Sequence, residues 1–256
     1  MAHAGRNRAL FAVLVLSLAL FSCTKKEALR HIETEPYQGP LTVEALKQSV
    51  GFGDVRSLKA LAEVSITKQG EDKGSLNGTF AYRAPGKIRI DLFGPFGLTM
   101  TKIVVSENLL QFFVPSKNTL YEWDSPEFSF TGLTNSRFRY EMGPDSDGYV
   151  LIAYMSDGPE PSVAARYFFD GTYLLNRTIC FYKDGSEAIK AEFNDFNGRV
   201  PERTRLTFSN GLVLDIALQE PQLDADIPAE YFRVIEHADK RIEPFEEIFR
   251  DFTPAR

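Results

Sequence analysis

The chain has 256 residues, 43% of them hydrophobic, and a formal net charge of −6. This length and apolar content are enough for a single β-rich domain with a sizeable core. The acidic balance lacks the basic footprint that phosphates require, so we expect no nucleic-acid partner.

Residues 1–22 have the layout of a secretory signal peptide. Arg6 and Arg8 precede an apolar run over residues 9–20, which is too short for a membrane span of about 20 apolar residues. The run ends in Leu-Phe-Ser-Cys at residues 20–23, which resembles the lipobox of bacterial lipoproteins, whose cysteine is acylated and becomes the mature N-terminus. An ordinary signal peptide with an incidental cysteine is the alternative. Without residues 1–22 the chain has 27 basic and 35 acidic side chains, a formal charge of −8.

The lipobox resemblance implies that Cys23 carries a diacylglycerol and an N-acyl chain, and we expect no other cofactor. A second acyl chain turns marginal membrane binding into stable anchoring, at about 0.8 kcal/mol per buried methylene. Thr24 occupies the position where many enteric-type bacteria place an aspartate to retain lipoproteins at the inner membrane. We therefore expect a lipid anchor in the outer membrane, on its periplasmic face, with the polar residues 24–41 as a tether.

From residue 42 to about residue 235 the sequence predicts one domain. Thr42 is a candidate N-cap, and Val43, Leu46 and Val50 share one face of a short amphipathic helix. From Ala60 onward, apolar and polar residues alternate with the period of two that is typical of half-buried strands. Asp-Gly or Asn-Gly pairs at 170–171, 184–185, 197–198 and 210–211 predict four successive hairpins. The pattern predicts about eleven antiparallel strands in a meander.

Two segments depart from this pattern. Residues 125–148 are rich in aromatic side chains and predict either a helical lid over one face of the sheet or a long packed loop. Residues 236–256 predict a C-terminal amphipathic helix or a tail, with apolar residues at Ile242, Phe245, Ile248, Phe249 and Phe252.

The turn Gly94-Pro95-Phe96-Gly97 carries an aromatic residue at its tip. It follows the strand that begins at Lys87, and a second apolar strand starts at Leu98. Turns normally face water and are polar. Phe96 therefore either folds back onto the sheet or projects to touch a membrane or an apolar partner.

Residues 84–99, Ala-Pro-Gly-Lys-Ile-Arg-Ile-Asp-Leu-Phe-Gly-Pro-Phe-Gly-Leu-Thr, resemble a stretch of the bacterial lipoprotein-localisation family, which includes the periplasmic carrier LolA and the outer-membrane receptor LolB. In that stretch a basic strand led by proline runs into a Pro-apolar-Gly loop. Residues 169–218 resemble the C-terminal sheet of lipoprotein relatives of LolB whose function is unassigned. The resemblance implies a mainly β fold, with one antiparallel sheet curled into a half-open barrel and helices covering its concave face.

In LolB this loop displays an exposed leucine that is implicated in delivering lipoproteins to the membrane. The resemblance therefore assigns a membrane or transfer loop to Phe93, Pro95, Phe96 and Gly97, and it favours an exposed Phe96. The concave face of the family binds acyl chains. In this sequence the corresponding strand positions form an apolar inner face of Val64, Ile66, Phe80, Tyr82, Ile90, Leu92, Ile103, Val105, Phe112, Tyr121 and Trp123. Such a face either lines an open trough or is filled by side chains, and periodicity does not distinguish the two.

These observations favour a membrane-anchored lipoprotein that binds acyl chains or lipoproteins in an apolar β trough and helps deliver them to the outer membrane. Its expected partners are the outer-membrane lipid surface, the acyl-chain or lipoprotein cargo and a periplasmic LolA-like carrier. A barrel-like sheet with managed edges is compatible with a monomer. The alternative is a structural or assembly lipoprotein of the envelope, with a solid core and a protein-binding surface.

We expect no enzymatic activity and no metal site. Only His31 and His237 follow the signal peptide, and the chain has neither a Gly-x-Ser-x-Gly elbow nor a histidine-rich metal motif. The paired carboxylates of glycoside hydrolases are recognised by geometry and not by spacing, so the sequence leaves that class open. Cys180 lies in an apolar run, which predicts a small buried side chain and not a nucleophile.

Overall fold

The computed structural model describes residues 39–50, 52, 55–106, 109–124, 138–155, 161–182 and 184–244. The predicted signal peptide, Cys23 and the tether up to residue 38 lie outside the described residues, as do 125–137 and 245–256.

The described residues form a single sheet of fourteen strands. The strands are β1 (Ser57–Lys68), β2 (Glu71–Arg83), β3 (Lys87–Phe93), β4 (Thr99–Ser106), β5 (Leu109–Val114), β6 (Thr119–Asp124), β7 (Phe138–Asp145), β8 (Gly148–Met155), β9 (Ser162–Asp170), β10 (Leu175–Phe181), β11 (Glu187–Asn197), β12 (Val200–Phe208), β13 (Leu212–Leu223) and β14 (Arg241–Pro244). Their order across the sheet is β14-β6-β5-β4-β3-β2-β1-β13-β12-β11-β10-β9-β8-β7.

The sheet is open, curled and almost wholly antiparallel, which confirms the predicted fold class. β1 and β13 pair at its centre and join two meanders, β1–β6 and β7–β13. β14 pairs parallel to β6 at one edge, and β7 forms the other edge. The four predicted hairpins are confirmed, because the Asp-Gly and Asn-Gly pairs lie where β9 to β13 follow one another.

The predicted N-terminal helix is confirmed as α1 (Val43–Ser49). Thr42 is its N-cap, and its Oγ1 accepts a hydrogen bond from the backbone N–H of Ala45 at 3.1 Å. Leu46 and Val50 are buried in a cluster formed with strands β8, β9 and β10. α1 is the one α-helix of the described residues, whereas the family resemblance implies several helices over the concave face. Within those residues, no helix is both long enough and apolar enough to cross a membrane.

Two segments form strands where the sequence predicts other structures. Residues 138–148 form neither a helical lid nor a long packed loop. β7 pairs with β8 down to Asp145 opposite Gly148, and residues 146–147 form the turn between them. In the C-terminal segment, residues 241–244 form β14, where the apolar spacing predicts a helix. The backbone of β14 forms hydrogen bonds with the open edge of β6. This strand pairing provides more hydrogen bonds than an isolated helical turn of the same residues would.

Between β2 and β6 both faces of the sheet carry apolar packing. Its concave face carries the main apolar cluster, formed by side chains of β1 to β6, β12 and β13. On the outer face lies the C-terminal strap, which we define as residues 224–240. Its Ile227 and Phe232 pack on Ala81, and Gln111 binds the strap backbone at Ile235 through two hydrogen bonds of 2.6 and 3.0 Å.

Candidate functional site

The concave face of the sheet encloses an open apolar cavity. The cavity has a volume of about 150 Å³, and the space between its walls reaches about 1550 Å³ when the open mouth is included. Side chains from both meanders line it, together with the end of α1 and the residues that follow α1. The described lining consists of Ser49, Phe52, Val64, Ile66, Phe80, Ile88, Ile90, Leu92, Ile103, Val105, Leu110, Phe112, Leu174, Leu175, Ile189, Phe193, Phe196, Arg199, Pro201, Thr204, Leu206, Phe208, Leu212, Leu214, Ile216 and Leu218.

The alternation of side chains along each strand explains why the lining is apolar. On β3, for example, Ile88, Ile90 and Leu92 face the cavity, while Arg89 and Asp91 face the outer side and bind each other there. Neighbouring strands repeat the same alternation in register. The inner surface is therefore a continuous sheet of aliphatic and aromatic side chains.

Eight of the predicted lining residues face the cavity: Val64, Ile66, Phe80, Ile90, Leu92, Ile103, Val105 and Phe112. The prediction fails for Tyr82, Tyr121 and Trp123, which pack in the main apolar cluster but do not line the cavity. The ring of Phe52, which lines the cavity, packs on Tyr82 with a centroid distance of 4.5 Å. Tyr121 and Trp123 belong to β6, next to the sheet edge and beyond the last lining strand, β5.

The sequence prediction missed the half of the wall that β10 to β13 supply. The alternation of Leu212, Leu214, Ile216 and Leu218 could have identified β13, because it has the same period of two as β3. The alternation is interrupted in β11. Asp195 adopts a left-handed backbone (φ 52°) there, and the register with β12 continues unshifted on both sides of Asp195 and the opposite Glu202. Phe193 and Phe196 both face the cavity, although they are three residues apart.

Three described lining side chains are polar: Ser49, Thr204 and Arg199. Ser49 Oγ donates a hydrogen bond to the carbonyl of Ala45 at 3.0 Å, within α1. No carboxylate, thiol or imidazole occurs in the described lining, and no group of three or more potential metal ligands occurs in the described part of the chain. Cys180 is buried in the cluster around α1, as predicted. Such a wall can bury hydrocarbon.

The loop between β3 and β4 lies at one end of this cavity and exposes apolar side chains. Phe96 is 100% exposed and Leu98 is 67% exposed, which is the outcome that the family resemblance favours. Pro95 and Gly97 are exposed as well, whereas Phe93, the last residue of β3, is half-buried. We call the exposed residues Pro95, Phe96, Leu98 and Met100 the apolar tip.

Backbone geometry holds the apolar tip outward. The N–H of Gly94 donates to the carbonyl of Leu98 at 2.9 Å, which closes the loop. Phe96 has φ 62° and Gly97 has φ 73°, so two successive residues are left-handed. Met100 packs against Gly94 so closely that a Cβ there would lie 2.7 Å from the Met100 Cγ. Residues 93–101 carry no charged side chain, so nothing in the loop itself opposes transfer into an apolar phase.

No protein-family model matches the chain, and no curated protein sequence matches it. Solved structures are similar to its fold. A LolA superfamily protein from Nitrosomonas europaea superimposes with a TM-score of 0.52 and 11% identity, over 76% of this chain and 99% of that protein. A domain assigned as an outer-membrane lipoprotein-sorting protein from Vibrio parahaemolyticus gives a TM-score of 0.54 and 11% identity, over 75% and 93% of the two chains.

A DUF1329 family protein from Desulfovibrio piger is similar too, with a TM-score of 0.56 and 14% identity over 75% of this chain and 95% of that one. At these identities the similarity establishes the fold: this chain has the LolA-like fold.

Proposed function

We propose that this chain, which has the LolA-like fold, is a lipid-anchored envelope protein that binds acyl chains of lipids or lipoproteins in its cavity and passes them to the outer membrane. It acts as a binding protein and not as an enzyme. The observation that carries the proposal is the open apolar cavity of the concave face. The similarity to lipoprotein-sorting proteins supports the proposal at the level of fold.

The size and lining of the cavity fit part of a hydrocarbon chain. A cavity of about 150 Å³ lined by Leu, Ile and Phe is known to stay dry and to bind benzene. This cavity has about the same volume and the same kind of lining, so it has room for part of an acyl chain. Each methylene that leaves water contributes about 0.8 kcal/mol.

The apolar tip supplies the contact with the membrane. A fully exposed phenylalanine side chain gains roughly 1.5–3 kcal/mol when it is buried in an apolar phase, and Leu98 stands beside it. A lipid anchor at Cys23 would hold the domain at the bilayer surface, where even this modest energy is sufficient for repeated contact. Because β3 connects the cavity wall directly to the loop, cargo that leaves at this end meets the membrane at the apolar tip.

The alternative, an assembly lipoprotein, requires a solid core. The described lining residues, Leu206 and Leu214 among them, leave the space between them open, which favours the carrier. The apolar tip is common to both hypotheses and does not distinguish them.

The test uses Trp123, the one tryptophan of the chain, as a reporter of cavity occupancy. Trp123 lies opposite Leu110 across β5 and β6, and Leu110 lines the cavity. A brominated acyl chain in the cavity therefore quenches its fluorescence. The full chain, purified from bacterial membranes and reconstituted in phosphatidylcholine vesicles, is titrated with dibromostearyl alcohol, and we expect saturable quenching.

Two variants of β12 carry the same substitution on opposite faces. Thr204→Phe adds a ring on the cavity side, whereas Thr207→Phe adds it on the outer side. We expect Thr204→Phe to raise the half-quenching concentration about tenfold, the effect of losing two buried methylenes, and Thr207→Phe to leave it unchanged. Absence of saturable quenching in the wild type, or equal quenching in all three proteins, would contradict the proposal.

A further inference from the structure

Arg199 is the one charged side chain in the described lining of the cavity. It lies in the turn between β11 and β12, directly after Asn197 and Gly198, and is half-buried. Around it the wall is apolar, with Phe196 and Pro201 on the same hairpin. A guanidinium beside such a wall loses part of its hydration, and this loss is costly unless an acceptor replaces the water.

The acidic side chains of this hairpin already have partners. Asp195 forms an ion pair with Arg203 at 3.1 Å, and Glu202 accepts a hydrogen bond from Asn197 at 3.3 Å. In the described part of the chain, Arg199 forms no hydrogen bond, ion pair or cation–π contact through its guanidinium. Among the described residues, the guanidinium of Arg199 therefore faces the cavity without a paired acceptor.

The strand pairing places this cation towards the end of the cavity where β3 begins, and the apolar tip further along the strands, past the level of Arg203. β3 begins at Lys87, opposite Arg83 of β2, and runs towards the apolar tip. Ser57 of β1 also pairs with Arg83, so β1 begins at the same end as β3. β12 pairs in register with β13 and β13 with β1, so β12 too begins at the end remote from the tip. A ligand that lies along the strands therefore has two chemically different ends to satisfy.

We propose that the cavity selects acyl chains that carry an anionic end group, which Arg199 binds, with the hydrocarbon directed towards the apolar tip. This inference rests on the proposed function and specifies its ligand class. The planar fork of arginine donates two parallel hydrogen bonds to a carboxylate or a phosphate, and such charge-assisted bonds are the strong ones. In the ordinary alternative, the aliphatic stem of Arg199 covers the wall and its head stays in water, which gives no preference for anions.

The test compares dibromostearic acid with dibromostearyl alcohol in the same quenching experiment, in alkaline buffer where the carboxylate is ionised. The two chains are identical and differ only in the end group. After correction for partition into protein-free vesicles, we expect the acid to half-quench Trp123 at about a tenfold lower concentration, which is typical of one hydrogen-bonded charge. A wild type that does not distinguish acid from alcohol overturns the inference.

Three variants locate the preference. Arg199→Gln removes the charge and should abolish the preference for the acid, so that acid and alcohol half-quench Trp123 at about the same concentration. Arg199→Lys keeps the charge and should retain part of the preference for the acid. Arg203→Gln, whose wild-type side chain is 72% exposed and paired with Asp195, is the matched control and should behave as the wild type. Retention of the full preference in Arg199→Gln overturns the inference.

A brominated lysophosphatidic acid with the same chain distinguishes the source of the anion. We expect Arg199→Gln to weaken binding of the carboxylate and of the phosphate ligand equally, which would show that Arg199 recognises negative charge and not one particular end group. Loss of all quenching by the alcohol would instead contradict the proposed cavity function, so the two failures are distinguishable. The preference for anions is measured only by the ratio of the half-quenching concentrations of the acid and the alcohol.

Discussion

Phe96 combines complete exposure with a left-handed backbone, which non-glycine residues rarely adopt. Both properties cost free energy in an isolated protein, and both place an aromatic ring where a membrane can receive it. A local reason for the geometry is the tight loop closed by Gly94 and Leu98. A substitution at Phe96 therefore separates an effect on membrane contact from an effect on folding stability.

We expect Phe96→Glu to weaken transfer of bound acyl chains to acceptor vesicles while leaving the free energy of unfolding within about 0.5 kcal/mol of the wild-type value, as for other surface changes. Leu61→Glu, at a side chain that is 49% exposed on β1, introduces the same charge away from the loop and serves as the control. The protein is first loaded with a brominated acyl chain, which quenches Trp123. Transfer of this chain to acceptor vesicles is then measured as recovery of Trp123 fluorescence. Equal transfer by the two variants would exclude a specific contribution of the apolar tip.

Tyr140 gives a prediction on pH. Burial, with the nearby charge of Glu44 as a smaller cause, raises the pKa of Tyr140 from 10.0 to about 12. The unfolded chain therefore releases this proton at lower pH than the folded chain, and the free energy of unfolding falls as pH rises from about 10 towards 12. In urea titrations at increasing pH, the free energy of unfolding of Tyr140→Phe should fall less steeply than that of the wild type. The fall persists in part, because burial also raises the pKa of Tyr82 and of Tyr231. Parallel curves for wild type and variant would refute the assignment.

Among the elements, the C-terminal strap is fixed by a partly buried ion pair on the outer face. Arg89 binds both carboxylate oxygens of Asp91, at 2.9 and 3.1 Å, and donates to the carbonyl of Tyr231 at 2.9 Å. The hydroxyl of Tyr231 donates to Asp91, and the guanidinium lies 4.6 Å from the centre of the Tyr231 ring. This network joins β3, which also lines the cavity, to the strap.

Removing one partner of this network should be costly. We expect Arg89→Met to lower the free energy of unfolding by about 3 kcal/mol, because Asp91 is left buried without its counter-ion. Arg205→Met is the matched control: Arg205 also makes a two-point contact, with Asp215, but both side chains are largely exposed, so we expect a loss below about 1 kcal/mol. Urea denaturation measures both. Equal losses would show that the strap contact contributes no more than a surface pair.

Sequence periodicity predicted the elements whose structure is decided locally. The strand of Ile88, Ile90 and Leu92 and the hairpin at Asn197-Gly198 depend on alternation and turn chemistry, both of which a short stretch encodes. The strap and β14 were not predicted, because their positions depend on partners more than a hundred residues away, such as Gln111 for Ile235. The left-handed backbone of Asp195 interrupted the alternation in β11, so the pattern did not identify that part of the wall.

At the scale of the whole molecule, the open sheet explains how one chain can have both a core and a cavity. Two meanders meet at β1 and β13, so their inner faces curve towards each other without closing. α1 fills the space against β8, β9 and β10, and the part of the concave face between β3 and β12 remains open. Sequence alone could not distinguish an open cavity from a filled core, since the same alternation of apolar and polar residues is expected for both.

The most direct test of the acyl-chain cavity is native mass spectrometry of the full chain purified from bacterial membranes. The account predicts a population carrying the mass of bound acyl lipid, depleted in Thr204→Phe and unchanged in Thr207→Phe. A chain that is ligand-free in all three proteins, even after incubation with excess long-chain fatty acid, would contradict the account and favour an assembly protein whose concave face is never occupied.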